Sequence, residues 1–349
     1  MHLFWSPMAE QALPYTPGEQ PQDQQYIKLN TNECPYPPTP WLNQLDFAAE
    51  NLRLYPDPTA ENLRSILAAR AQLDVNEVFV GNGSDEILAF TFMALMDKEI
   101  AHPNISYSFY PVYARLFKLQ EHIVPLREKF ELNLKDYDAL EGPVIIANPN
   151  APTGLAIPVQ DMVEFLTRHP QRLLIVDEAY VDFGAQSMVP YIHQYPNLLV
   201  IQTFSKSRAL AGARLGFAMG QAHLIEALER IKNSFNSYTI SRFTLKAGAM
   251  AVLDEEYFQW TCTQIRETRD QLIAELRQHA IEVTDSKANF LWLRCPEFTG
   301  HQLYQRLREK GILVRHFNQP LIEDYIRVTI GTKNEMEQFK RKLFEVLLN

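Results

Sequence analysis

The sequence predicts an α/β protein of two domains: a larger one with a mostly parallel sheet sandwiched by helices, and a smaller α+β one. Three observations carry this expectation. Apolar runs rich in β-branched residues recur at Val78-Phe79-Val80, Val144-Ile145-Ile146-Ala147, Leu173-Leu174-Ile175-Val176 and Leu198-Leu199-Val200-Ile201, with helical stretches between them. Runs that are apolar at every position suit strands covered on both faces. After Leu253 the pattern changes to short strands alternating with helices. At 349 residues the chain also exceeds the size at which one hydrophobic core stops growing.

Taken in order, residues 1–40 are rich in proline and glutamine and carry little periodicity. They read as an extended N-terminal arm that packs with the small domain and with a partner subunit. Residues 41–254 read as the large domain. Its first strand, Glu77 to Val80, ends at Gly81-Asn82-Gly83, and Ile87 to Met96 follows as a helix. Residues 255–349 read as the small domain. A charged helical pattern runs from about Glu255 to Ala280, then a strand at Phe290-Leu291-Trp292-Leu293 and a helix near His301 to Lys310. Strands at Ile312-Leu313-Val314 and Tyr325-Ile326-Arg327-Val328 precede a terminal helix from Asn334. There is no internal repeat or low-complexity tract.

Composition excludes several classes. A 46% hydrophobic and 21% charged chain is ordinary for a soluble globular protein. The net charge of -9 argues against nucleic acid or an anionic membrane as partner. Cys34, Cys262 and Cys295 are scattered and form no C-x-x-C, so neither a metal site nor a disulfide framework is expected, and a reducing compartment is. Met1 to Pro7 lacks a basic n-region and a long apolar stretch, so no secretory signal is expected. No run of about 20 apolar residues is present to span a membrane. A cytoplasmic location is the resulting expectation.

Four clusters lie at the C-terminal ends of predicted strands, where open α/β sheets place their ligands. In Gly81-Asn82-Gly83-Ser84-Asp85-Glu86 the glycines permit a tight turn, and Ser84 begins a helix whose free N–H groups favour a phosphate. The same residues also read as a plain strand-helix turn with a serine cap. Asn148-Pro149-Asn150-Ala151-Pro152-Thr153-Gly154 is a rigid loop with amide groups at a strand end, able to hold a polar ring substituent or simply to turn. Asp177-Glu178-Ala179-Tyr180 ends a buried strand, where a carboxylate needs a partner. Facing a pyridinium nitrogen, Asp177 would keep that nitrogen protonated; alternatively the acidic pair starts a helix.

The fourth cluster is Thr203-Phe204-Ser205-Lys206-Ser207, with Arg214 eight residues after the lysine. A lysine at the end of a buried strand is partly desolvated, which frees its amine for a Schiff base with an aldehyde cofactor. Alone, Ser-Lys-Ser is common, and loop lysines are mostly solvated. Together and in this order, a phosphate cradle, a ring-substituent loop, a ring-nitrogen acid and a lysine with an arginine compose a pyridoxal-phosphate site.

With these residues the chain resembles the fold-type-I aminotransferases of class II, and among them the histidinol-phosphate aminotransferase family. The resemblance spans nearly the whole chain. It includes Pro14-Tyr15-Thr16-Pro17-Gly18, Leu29-Asn30-Thr31-Asn32-Glu33, Tyr55-Pro56-Asp57, Tyr107-Ser108-Phe109-Tyr110, Gly311-Ile312-Leu313-Val314-Arg315 and Arg327-Val328-Thr329-Ile330-Gly331. It implies that Lys206 binds pyridoxal 5'-phosphate covalently and moves the proton. It further implies that Asp177 pairs with the ring nitrogen, Tyr180 contacts the ring hydroxyl and Tyr110 stacks on the ring. Ser84, Asp85, Ser205 and Arg214 would surround the phosphate. Tyr55 would reach that phosphate from the partner subunit of a homodimer. The family's loop carries an asparagine where this chain has Ala151, so Asn150, Asn148, or Tyr180 with a water would serve the ring hydroxyl; Asn150 is the expectation taken here.

At the substrate end, Arg315 and Arg327 each offer two-pronged hydrogen bonds to an anion. Such a pair suits the phosphate of histidinol phosphate in one half-reaction and a carboxylate of 2-oxoglutarate or glutamate in the other. Arg315 also reads as an ordinary surface ion pair, whereas Arg327 lies in an apolar strand and needs an anionic partner. By the resemblance, Tyr15 and Asn32 contact the imidazole end. His316 reads as a bystander. The implied activity is ping-pong transamination in histidine biosynthesis.

The rivals on the same scaffold are an aromatic amino acid aminotransferase and a threonine-phosphate decarboxylase. A non-catalytic, cofactor-sensing regulator would need a DNA-binding domain, for which there is no room ahead of Tyr55 and the wrong charge. A nicotinamide dehydrogenase would use Glu99 as its ribose acid and leave Lys206 and Arg214 without purpose.

Overall fold

The computed structural model describes residues 4–21, 26–45 and 52–348. Met1 to Leu3, part of the segment read for a secretory signal, and arm residues 22–25 lie outside them. The arm contains one short helix, α1 (Pro7–Gln11), and a two-residue strand, β1 (Ile27–Lys28).

Seven strands form the main sheet: β2 (Val78–Gly81), β3 (Glu99–Pro103), β4 (Gln120–Val124), β5 (Val144–Ala147), β6 (Leu174–Asp177), β7 (Leu198–Thr203) and β8 (Gly216–Gly220). Their order is β2-β8-β7-β6-β5-β3-β4. β8 runs antiparallel to both neighbours, and the rest are parallel. The apolar runs were continuous because the sheet has two buried faces. Val144, Ile146, Leu174, Val176, Leu198 and Val200 enter one core with α2 (Glu61–Ala71), α5 (Val159–Arg168) and α7 (Arg242–Leu253). Ile145, Ile175, Leu199 and Ile201 enter the other with α3 (Gly83–Leu95), α4 (Phe109–Leu116) and α6 (Ala222–Phe235). Each such side chain gains roughly 1.5–3 kcal/mol by leaving water.

A third core gathers α8 (Glu255–Arg277), α9 (Gly300–Glu309) and α10 (Lys333–Leu347) against β9 (Glu282–Val283), β10 (Phe290–Arg294), β11 (Ile312–Leu313) and β13 (Ile326–Thr329), with β12 (Arg315–His316) paired to β13. Four of these strands form an antiparallel sheet in the order β12-β13-β10-β9. β11 instead pairs with β1 of the arm in parallel, Ile27 opposite Ile312. Leu29 then enters this core, and its carbonyl accepts the Thr329 N–H at 2.9 Å. The single strand expected at Ile312-Leu313-Val314 is thus two short ones. One holds the arm and the other delivers Arg315.

A second difference concerns Ser84. It is not the helix cap: α3 begins at Gly83, whose φ of +81° suits glycine, and Asn82 occupies the cap position. Ser84 therefore sits inside the first turn.

Arg269 of α8 is 2% exposed. It donates to the carbonyls of Phe183 (2.7 Å) and Ala288 (3.0 Å), pinning the segment after β6 to the loop before β10. Arg269→Met keeps the stem and strands both carbonyls. We expect a loss of about 3 kcal/mol in urea unfolding; a loss below about 1 kcal/mol would show that other contacts hold this junction.

Candidate active site

The C-terminal ends of the parallel strands converge on a cavity of about 610 Å³. A strand's alternation decides what reaches it. At the end of β6, Asp177 points into the cavity, while Glu178 turns away and is held by the Ser187 hydroxyl, the Met188 N–H and the Gln202 amide. Asp177 is 4% exposed; its oxygens accept the Ala179 N–H at 3.1 Å and the Tyr110 hydroxyl at 3.0 Å. Burial pushes its carboxyl up to about 6 against those two bonds. Both donors are neutral, so the site favours a cationic N–H as further partner.

Lys206 follows β7 and lines the same cavity. Its ammonium donates to the Thr31 carbonyl at 3.1 Å and lies 5.9 Å from the centre of the Tyr180 ring. Burial, helped by Arg327, pushes its pKa down to about 8, while Glu33 and Asp85 oppose the shift. The amine is therefore neutral and nucleophilic at a far lower pH than an ordinary lysine.

At one end, Ser84 and Asp85 in the first turn of α3 meet Ser205 and Arg214. Arg214 adopts a left-handed backbone (φ +53°) and pairs with Asp85 at 3.1 Å. A Cβ on Gly216 would lie 2.6 Å from the Ser84 nitrogen, so only glycine lets β8 bring the arginine this close to the helix start. First-turn N–H groups lack intrahelical partners, and together with a guanidinium and hydroxyls they make an anion cradle.

At the other end, Arg315 and Arg327 stand directly opposite each other on paired strands β12 and β13. Arg315 donates to the carbonyls of Thr16 and Pro17, both at 3.3 Å. Arg327 donates to the Asn30 carbonyl at 3.1 Å, and its buried Nε has no hydrogen-bond partner. Burial, and to a lesser degree Arg315, holds the Arg327 guanidinium below its ordinary value. Like charges facing each other across strands repel, so this end also calls for an anion.

The remaining expected residues divide. Tyr15 lines the cavity and stacks on Phe109 at 4.4 Å. Tyr180 lines it too, edge-on to Phe290 at 5.1 Å. Asn32 reaches it, but its amide is committed to Tyr180 and Thr329 rather than free for an imidazole. Tyr55 is 76% exposed, stacks on Tyr238 and does not line its own chain's cavity. His316 is bonded to the Glu323 carbonyl at 2.8 Å and is outside the cavity lining.

Two expectations are corrected. Tyr110 is not on the cavity wall: it is fully buried on the core stripe of α4 with Tyr113 and Ala114, beneath Asp177. Tyr107 lines the cavity instead, its hydroxyl on Asp85 at 2.8 Å. Helical spacing was the available signal, because Tyr110, Tyr113 and Ala114 share one face while Tyr107 precedes the helix. Asn150 is also turned away. Its amide donates to the Ile105 carbonyl and Thr153 hydroxyl and accepts from Ser106, tying the loop to itself and to its neighbour. Asn148 is likewise tied to Ile157 through both amide atoms.

A second cavity of about 610 Å³ lies around Asp182, Arg208 and Phe258, sharing Thr203 with the first. It contains neither Lys206 nor Asp177.

The chain matches the family model for aminotransferases of class I and II over residues 24–343. It is 48% identical over 347 residues to a histidinol-phosphate aminotransferase of Acinetobacter baylyi, covering 97% of this chain and 96% of that protein. It is also 48% identical to histidinol-phosphate aminotransferase 1 of Hydrogenovibrio crunogenus, covering 99% of each. Among solved structures, histidinol-phosphate aminotransferase of Sinorhizobium meliloti, in complex with pyridoxal-5'-phosphate, aligns with a TM-score of 0.87 at 24% identity, covering 99% of this chain and 98% of that one.

The depressed Lys206 amine is open to a direct check. When a small aldehyde is trapped with borohydride and the product mapped by mass spectrometry, Lys206 should label half-maximally near pH 8. Ordinary lysines reach that point only near about 10.4. Labelling of Lys206 in step with the others would mean that its amine is solvated.

Proposed function

Because the chain belongs to the class I and II aminotransferase family, we propose that it transfers the amino group of histidinol phosphate to 2-oxoglutarate, using pyridoxal 5'-phosphate. The observation that carries the substrate is the facing pair Arg315 and Arg327 in the cavity of Lys206. Two opposed guanidiniums match the doubly charged phosphate of one substrate and a carboxylate of the other.

The residues present fit the cofactor. Arg214, Ser84 and Ser205 offer donors for its phosphate, and the buried Asp177 carboxylate, with only neutral donors on its oxygens, suits a protonated ring nitrogen. When bound, pyridoxal phosphate supplies an electron sink that makes the proton on the amine-bearing carbon removable. Asp177 would keep the ring nitrogen protonated, and Tyr180 would donate its hydroxyl to the ring oxygen. Tyr107, in the place expected for Tyr110, would pack on the ring. Lys206 would hold the cofactor through its amine and, once freed by the substrate amine, would serve as the base and acid that moves the proton of the substrate's amine-bearing carbon. Arg315 exchanges its bonds to the Thr16 and Pro17 carbonyls for the substrate anion, beside Tyr15.

The assembly we propose is a cytoplasmic homodimer in which the exposed Tyr55 completes the partner's phosphate site. Its support is that Tyr55 stands clear of its own cavity. Within each subunit, residues 1–40 form the arm, 41–254 the large domain and 255–349 the small one. The division is supported by α7 packing in one core and α8 in another.

The substrate is tested by mixing holoenzyme separately with histidinol phosphate, phenylalanine and threonine phosphate. Histidinol phosphate alone should bleach the visible absorbance of the lysine-bound cofactor rapidly. Reaction with phenylalanine but not histidinol phosphate would point to an aromatic aminotransferase. Release of carbon dioxide from threonine phosphate would point to the decarboxylase. Arg327→Leu should lower kcat/KM for histidinol phosphate about 100-fold. The substrate-free protein should lose little stability, since the change also removes an unpartnered buried nitrogen. An unchanged kcat/KM would remove Arg327 from the anion site.

A further inference from the structure

We propose that Asn32 is the positioning residue that aims the Tyr180 hydroxyl at the cofactor's ring oxygen, and so supplies what Ala151 lacks; this rests on the transaminase reading above. The loop that would normally provide a second donor cannot do so. Ala151 has no polar side chain, and Asn148 and Asn150 are tied to Ile157, Ile105 and Thr153. Asn32, by contrast, is 1% exposed, and its Nδ2 donates to the Tyr180 hydroxyl at 2.9 Å.

The amide's orientation follows from its other contacts. The Asn32 backbone N–H donates to Thr329 Oγ1 at 2.9 Å, and that hydroxyl donates its own proton to Asn32 Oδ1 at 3.1 Å. Oδ1 therefore faces β13 and Nδ2 faces Tyr180. The Asn289 amide donates to the Asn32 carbonyl at 3.0 Å, and the residue holds a left-handed backbone with φ of +56°. Asparagine tolerates that conformation far better than branched residues do.

A phenol oxygen that accepts from an amide keeps its own proton for another acceptor. Tyr180 lines the cavity, so that acceptor is in the cavity, where the ring oxygen belongs in this reading. The charged groups around Tyr180 are Arg327, Asp177, Asp85 and Lys206, and replacing the neutral Asn32 alters none of them. The relay also anchors this donor to β13 and to the loop before β10, the same elements that carry Arg327 and its neighbours.

The test is spectroscopic and needs no turnover. Asn32→Gly tolerates the left-handed backbone, and Asn32→Ala adds a second deletion of the amide. Each is loaded with pyridoxal phosphate, and the visible absorbance of the lysine-bound cofactor is titrated with pH. Weaker donation to the anionic ring oxygen favours the protonated form, so the midpoint should rise by about one pH unit. Two further variants trace the path. Adding Ala151→Asn to Asn32→Gly should bring the midpoint back, whereas in a Tyr180→Phe background Asn32→Gly should move it no further. A purely structural asparagine would show neither behaviour. A wild-type midpoint in Asn32→Gly, or an undiminished shift in the Tyr180→Phe background, overturns the proposal. If the unaltered protein develops no visible absorbance with pyridoxal phosphate, the transaminase reading itself falls, and this inference with it.

Discussion

Two guanidiniums facing each other across a strand pair are the constraint to which the rest of the site answers. Arg315 and Arg327 are placed by the β12–β13 register, not by mutual attraction, and the buried Nε of Arg327 has no partner. The repulsion is borne by the surrounding structure. Carbonyls of the arm, at Thr16, Pro17 and Asn30, accept from both side chains. The same positive field reaches Lys206, where it adds to burial in lowering the ammonium pKa. One cluster of charge thus calls for an anion and lowers the pKa of the neighbouring amine. A neutral replacement at Arg327 would weaken both effects together.

Much of the site was legible because it lies where strands end. Asp177, Lys206 and the glycine turn follow apolar runs, and the mostly parallel sheet with fold-type-I organisation is the one adopted. Three strands of the main sheet were not legible, for separate reasons. β4 is an edge strand carrying Gln120, Glu121 and His122, β3 contains Glu99 and His102, and β8 is bounded by two glycines, of which Gly216 lets α3 approach. None presents the continuous apolar run that marked the others.

Side-chain direction in loops was harder than strand position. Tyr107 and Tyr110 are three residues apart in one motif, yet one lines the cavity and the other supports Asp177 from the core. Asn150 is beside Ala151 and still points elsewhere, since the Ile105 carbonyl and the Thr153 and Ser106 hydroxyls saturate its amide. Asn32 was legible as a site residue but not as a partner of Tyr180, because the contact joins residues far apart in sequence. Such pairs are set by tertiary packing, which local spacing does not encode.

The pairing of β1 with β11 bears on how the protein is made. Ile27 leaves the ribosome long before Ile312, its partner. Until then the arm has no strand to join, and Thr31, Asn32 and Glu33 cannot reach Lys206 or Tyr180. The main sheet, by contrast, is complete once β8 has been synthesised. The nascent chain can therefore build its scaffold while its buried lysine stays without the groups that tune it, and that tuning waits for β11 to be made.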